Sequence, residues 1–419
     1  MSDMDNYQYE LVEKLSFTRY GGTAQELAAA NILLDEIKAA GGEGCLMPFE
    51  IDAFDLESCS VRVIAPFKRE VSAVPYGLSG NLPKKGKDLR LIYLERGSAA
   101  DFEGLDDLSG CAVMINALDL KIYGELVKRH AAAFITIAGK YYDTLDSSGA
   151  YSRNLRPKYL EKGKIPGFII PAGEATDLLR DGAETLRLVL RQNEKKNESR
   201  NVLAVIEGTK KKNESIVLTA HYDSLPICVG SWDNATGAAT LMYIYRYFLE
   251  NRPERTLRFI WCGSEEQGLL GSKAYVSANE DILDEIGFCF NFDMCGTVLG
   301  PNQLIVTGKD ELETFVKQFC DMEGYSAEIR AAVHSSDSAP FADKGIPGIG
   351  ISRGTKTAEI HTPRDVIFPI GAKQLKENGD FACRIISKVA GSVVMPVEKG
   401  MSDSMQKELD KYFQRDIKE

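Results

Sequence analysis

Three short apolar runs in this 419-residue chain each lead into side chains that bind metals or carry protons. Residues 216–220 (IVLTA) run into His221. Residues 257–261 (LRFIW) run toward Glu265 and Glu266, and residues 288–292 (FCFNF) run into Asp293. Apolar runs of this length read as buried strands. In an open α/β sheet, ligands bind outside the carboxyl ends of the strands. If the strands point the same way, the fold gathers these groups into one polar pocket on one sheet edge.

The pocket has the donors of a metal site. Zn²⁺ and similar divalent ions take imidazole nitrogen and carboxylate oxygen. Two ions about 3.5–4 Å apart need one ligand able to bridge them. A carboxylate has two oxygens, whereas a neutral imidazole has one free lone pair, so Asp233 is the best bridging candidate. It follows Gly230, where the backbone can bend closely. It also opens a helical segment, residues 234–249, with Ala238, Leu241, Met242, Tyr245 and Phe248 on one face. A negative charge is favoured at such a helix start. Asp223, two residues past His221, can take the second imidazole N–H. Of the adjacent Glu265 and Glu266, one can bind metal while the other accepts a proton from water.

A further histidine should complete the set, and the chain has four. His130 lies among unrelated short runs and reads as a surface or core residue. His334 stands in a loop before Asp337 and is ambiguous. His361 follows the apolar run 346–351 and a loop, which places it at the same sheet edge.

Residues 23–40 read as an amphipathic helix stopped by Gly41 and Gly42. Between residues 55 and 190 short β-rich runs alternate with turns (60–64, 89–93, 111–115, 133–137, 167–170 and 186–190), without a cluster of ligand types. Residues 192–199 read as a polar connector. From residue 201 to about 395 strand-like and helical runs alternate, which argues for a mostly parallel α/β sheet. Residues 402–419 read as a charged surface helix whose Lys407, Lys411, Arg415 and Lys418 face solvent. The net charge of −11 gives no reason to expect a nucleic-acid partner. Residues 1–6 have no basic or apolar leader region, and no apolar run approaches the roughly 18 residues of a membrane span. Nine scattered cysteines fit a reducing cytoplasm. The sequence leaves the oligomeric state open, a homodimer included.

The order His-x-Asp, Asp-Asn, Glu-Glu, Asp, His-Thr-Pro, carried here by His221, Asp223, Asp233, Asn234, Glu265, Glu266, Asp293 and His361, resembles the co-catalytic di-zinc aminopeptidases, family 28 of the metallopeptidases. Glutamate carboxypeptidase and the transferrin receptor belong to the same family. The resemblance covers the N-terminal helix region and residues 201–394. It implies an α/β fold: a mostly parallel-sheet zinc-peptidase domain with helices on both faces, made of residues 1–54 and 196–419. Residues 55–195 would form an inserted β-rich domain similar to the protease-associated domain.

The resemblance further implies two zinc ions, with other divalent metals as alternatives. His221 and Asp293 would hold one, Glu266 and His361 the other, and Asp233 would bridge them. Glu265 would be the general base and acid, and Asp223 would orient His221. The implied substrate is a peptide with a free N-terminus. Two positions depart from the family pattern: Ile360 stands where many members have an oxyanion-stabilising Tyr, and Ser338 replaces His in the run after Asp337. An amidohydrolase with a lid domain before its last ligand needs more than the 68 positions from Asp293 to His361. A carboxypeptidase-like activity would need a basic pocket, for which Arg353 or Arg364 is available. A non-catalytic binding homologue should have lost ligands, and every ligand position here is filled.

Overall fold

The computed structural model describes residues 6–415. Residues 1–5 and 416–419, which hold most of the acidic start and Lys418, lie outside the described residues. The chain divides into two compact units. One is built from the chain up to Phe49 and from Glu198 onward, the other from Glu50–Asn197.

The centre of the first unit is four parallel strands: Arg255–Cys262, Lys211–His221, Ile286–Phe292 and Gly348–Arg353, in that spatial order. His221 pairs with Cys262, and Phe292 with Ile351, so the carboxyl ends lie level along one edge. Asn302–Thr307 extends the sheet antiparallel to Gly348–Arg353, and Ala327–Ala331 follows parallel to it. At the other side Arg255–Cys262 pairs antiparallel with residues 202–206.

Strand alternation separates the two faces. Ile216, Leu218 and Ala220 point into a large core shared with Leu11, Ala30, Leu241, Ile244, Phe381 and Ile385. These come from helices Tyr7–Leu15, Ala24–Ala39, Thr236–Glu250 and Ala372–Ala390. Val217 points the other way, to Tyr275, Val276 and Phe341 of helices Leu270–Ala278 and Ala339–Asp343. Ala24–Ala39 starts where the sequence places it: the Thr23 hydroxyl accepts from the Glu26 N–H at 3.3 Å, the expected N-cap bond.

The second unit has parallel strands Lys87–Tyr93, Cys111–Ile115, Ala133–Ala138 and Gly167–Pro171, with helices Leu120–Lys128, Pro157–Lys162 and Ala172–Arg180. Its apolar clusters gather around Met114, Ile135 and Phe168 on one face and Val113, Phe134 and Ile169 on the other.

Two local expectations need correction. Residues 192–199 are not a loose connector but part of one strand, Thr185–Ile206. Their two lysines form ion pairs to Gly44–Ala65: Lys195 with Asp55 at 2.7 Å, and Lys196 with Asp52 at 2.8 Å. Charge complementarity across strands supplies here what apolar alternation supplies elsewhere. In the tail, Asp403–Tyr412 is helical, but Met405 and Leu409 are buried and Arg415 pairs with Asp343 at 2.6 Å. No helix among the described residues is long and apolar enough to cross a membrane.

Candidate metal centre

The four parallel strands deliver the expected side chains to one place. His221 closes its strand, Asp293 follows Phe292 directly, and Glu266 and His361 stand in the loops after Cys262 and Arg353. Two groups of potential ligands result, one of His221, Asp233 and Asp293 and one of Asp233, Glu266 and His361, with the ligand atoms of each within 4.8 Å of one another. Asp233 belongs to both. Its Oδ1 lies 3.1 Å from His221 Nε2, and its Oδ2 lies 3.1 Å from His361 Nε2. Asp293 Oδ1 is 3.5 Å from His221 Nε2, and Glu266 Oε2 is 3.1 Å from His361 Nε2. Glu265 enters neither group. The two halves differ in access: the His221 side chain is 2% exposed and that of His361 is 51% exposed.

Three buried side chains tie the ligand-bearing loops together. Asp223 accepts the backbone N–H of Glu265 at 3.0 Å and of Glu266 at 3.3 Å. It lies 3.5 Å from His221 Nδ1, longer than a hydrogen bond, so it fixes the glutamate loop more directly than the imidazole. Asn234 accepts from Met294 N–H at 3.1 Å and donates to Phe292 O at 2.9 Å, which locks the Asp233 turn to the Asp293 strand. Asp365 accepts from the N–H groups of Trp232 and Asp233 at 2.8 and 3.1 Å, which locks the same turn to the His361 loop. Beneath this turn the buried Arg19 guanidinium donates to the carbonyls of Tyr222, Leu15, Val229 and Gly230. Ser264, Met294 and His361 all adopt positive φ, at 54°, 59° and 59°. Non-glycine residues hold this conformation where surrounding structure over-determines it, as functional sites do.

The electrostatics call for cations. Burial pushes the Glu265 carboxyl up, His221 opposes this, and Asp337, Glu266 and Asp293 add to it, leaving it well above the ordinary carboxylate range. Burial followed by the charge of Asp233 pushes Glu266 up to about 7, against the pull of His361. Burial alone would lower both imidazoles. The carboxylates reverse this, raising His221 well above its usual value and His361 to about 11. The carboxylates thus favour positive charge at both imidazole positions. Glu266 Oε1 and Asp293 Oδ1 are buried without a hydrogen-bond donor. A buried acceptor without a partner is costly, and divalent ions among nitrogen and oxygen donors would satisfy both oxygens. The donor set fits a metal centre.

Sequence reasoning assigns no role to Arg19, Asp337 or Asp365. Asp337 is 1% exposed with neither oxygen hydrogen-bonded, and burial pushes its carboxyl up to about 6 with His221 opposing. Its place in the run after His334 is the only signal. His334 is half-buried outside both ligand groups, and His130 is exposed in the second unit. Arg364 is paired with Glu359 at 2.9 Å, and Ile360 packs against the large core.

The model of the family described as Peptidase family M28 matches residues 201–386, the stretch that holds every one of these candidate ligands. Residues 201–386 thus form a peptidase family M28 domain. Aminopeptidase YwaD of Bacillus subtilis (strain 168) is 28% identical over 335 residues, 73% of this chain and 72% of that protein. A vacuolar membrane protease of Candida dubliniensis is 30% identical over 216 residues, 49% of this chain and 23% of the protease, so the chain spans under a quarter of that relative. The structure of BSAP, a zinc aminopeptidase from Bacillus subtilis, superposes with a TM-score of 0.77 at 24% identity, covering 94% of this chain and 98% of BSAP. Both units lie within the stretch whose fold resembles that of BSAP.

Proposed function

We propose that this M28 peptidase is a zinc-dependent aminopeptidase that hydrolyses the peptide bond next to a free N-terminus. The observation that carries the reading is the division of Asp233, one oxygen toward His221 and the other toward His361. His221 and Asp293 would hold one zinc ion, Glu266 and His361 a second, and Asp233 both. When bound, the ions supply Lewis acidity toward the scissile carbonyl and toward water.

Glu265 takes a proton from the water whose oxygen attacks the carbonyl carbon, and passes it to the amine as the C–N bond breaks. Asp223 keeps Glu265 in place through the backbone N–H it accepts. The surplus of carboxylates, Asp337 included, attracts the cationic α-amine of a peptide. Substrate reaches the centre from the open His361 side. The names of YwaD and BSAP agree with this activity. A cytoplasmic location belongs to the same proposal, supported by nine cysteines that are all free thiols. Residues 55–195, within the unit Glu50–Asn197, are proposed to be a protease-associated-like insertion.

The test is metal content combined with hydrolysis of aminoacyl-amides and their N-blocked forms. Two zinc ions per chain with cleavage of unblocked substrates alone is the expected result. Cleavage of blocked substrates at equal rates would overturn the aminopeptidase assignment.

A further inference from the structure

A cleft of about 380 Å³ opens beside the ligand cluster, with Trp232, Met294, Gln303, Glu328, Arg353 and Lys356 in its lining. Trp232 precedes Asp233 and Met294 follows Asp293, so the cleft and the candidate metal centre share two loops. The volume lies at the small end of ligand sites. Gly354 lets the backbone close against the Trp232 ring. A Cβ there would stand 2.2 Å from a ring carbon.

The polar part of the lining has the opposite sign to the metal centre. Arg353 is held by Nε to Thr297 O and by Nη1 to Asn302 Oδ1, both at 2.8 Å. Neither Arg353 nor Lys356 has an ion-pair partner among the described residues, although the chain as a whole carries a net charge of −11. The one acidic lining residue, Glu328, is met at 3.5 Å by Gln303 Nε2. A peptide substrate would thus find an anionic region for its α-amine and, one loop away, a cleft with two cations against the single carboxylate of Glu328.

We propose that Lys356 and Arg353 make this cleft a recognition site for a substrate carboxylate. The carboxylate is either the side chain of an acidic residue or the free C-terminus of a short peptide. The inference rests on the aminopeptidase reading and adds substrate class to it. Arg353 is pre-positioned by its two hydrogen bonds, and a guanidinium bonds a carboxylate more strongly than a neutral acceptor. Lys356 is exposed and unpaired, so its replacement tests recognition without disturbing the fold.

Zinc-loaded wild-type and Lys356→Glu proteins are compared on leucyl-, glutamyl- and lysyl-amides, and on leucyl-leucine with its C-terminal amide. The wild type is expected to favour glutamyl over lysyl-amide if the cleft reads a side chain, or leucyl-leucine over its amide if it reads the C-terminus. Lys356→Glu should cut the relevant kcat/KM ratio by about tenfold or more, the usual loss when one charge-assisted contact is removed and reversed. Leucyl-amide, which offers no carboxylate, should stay near the wild-type rate. If neither ratio exceeds one in the wild type, or neither moves in Lys356→Glu, carboxylate recognition is wrong, while cleavage of leucyl-amide still upholds the aminopeptidase. If no unblocked substrate is cleaved, both fall.

Discussion

In Glu50–Asn197, four parallel strands separate two faces whose cores are apolar, Met114 and Phe168 toward one and Val113 and Phe134 toward the other. In the peptidase unit, four parallel strands again separate two apolar faces. The interiors obey one rule of strand alternation. The ends differ. Ile115 is followed by Asn116 and Ala117, and Ala138 by Gly139 and Lys140, whereas the peptidase strands end at His221, Asp293 and the Glu265–Glu266 turn. The peptidase unit buries Asp223, Asp233, Asp293, Asp337 and Asp365, at 8% exposure or less. The comparison teaches that sheet stability and chemistry are written in different positions: stability in the apolar run, chemistry at its carboxyl end and in the loop beyond.

Substitutions can break or sharpen that separation. The largest effect is expected from Glu265→Gln, which should lower kcat by about 10²- to 10⁴-fold, the usual contribution of a general base. Zinc content and melting temperature should stay near wild type. Near-normal turnover in the zinc-loaded variant would remove Glu265 as the base. The opposite profile is expected from Phe168→Ala in the other unit, a fully buried ring whose loss should cost about 3–5 kcal/mol of stability. Turnover per folded molecule should not change, and a proportionate loss of kcat in the folded fraction would show that the two functions are not separable.

A third prediction concerns pH. Burial lifts the Glu26 carboxyl to about 7 from 4.5, with hydrogen bonds from Ser199 and Gly22 opposing. A carboxyl raised in the folded state stabilises fully below its unfolded pKa, and that stability drains away as pH rises through the folded value. Unfolding free energy should therefore fall between pH 4.5 and 7, by on the order of 3 kcal/mol at most, and level off above. Glu26→Gln should flatten this slope in denaturant titrations across the range; an unchanged slope would assign it to other groups. The smallest effect is expected from Asn234→Ala. Losing its bonds to Met294 and Phe292 should weaken zinc affinity by about 10- to 100-fold, as outer supports of metal ligands do. Competition with a chelator measures it, and wild-type affinity would mean the turn is held without Asn234.

Much of the site is legible in the sequence because its ligand types are scarce and stand at the ends of apolar runs. Four histidines leave few choices, and His361 is marked by its loop after the run 346–351. Glu265 and Glu266 cannot be told apart from the residues alone; the turn after Cys262 turns one toward His361 and keeps the other outside both groups. Residues 192–199 do not read as a strand because their strand is stabilised by charges on a segment some 140 positions away, as in the Lys195–Asp55 contact. Arg19 and Asp365 carry no local pattern, since an isolated polar residue in a sequence does not announce that it is buried.

The sequence by itself determined the apolar runs that become the central strands and the donor types that follow them, because apolar periodicity and side-chain chemistry are local properties. Only the tertiary structure decided which oxygen of Asp233 faces which histidine, that Asn234 and Asp365 hold its turn across separations of 58 and 133 positions, and that Lys356 and Arg353 border a cleft beside it. Those arrangements depend on distances between segments remote in the chain, and such distances exist only once the sheet has closed its edge.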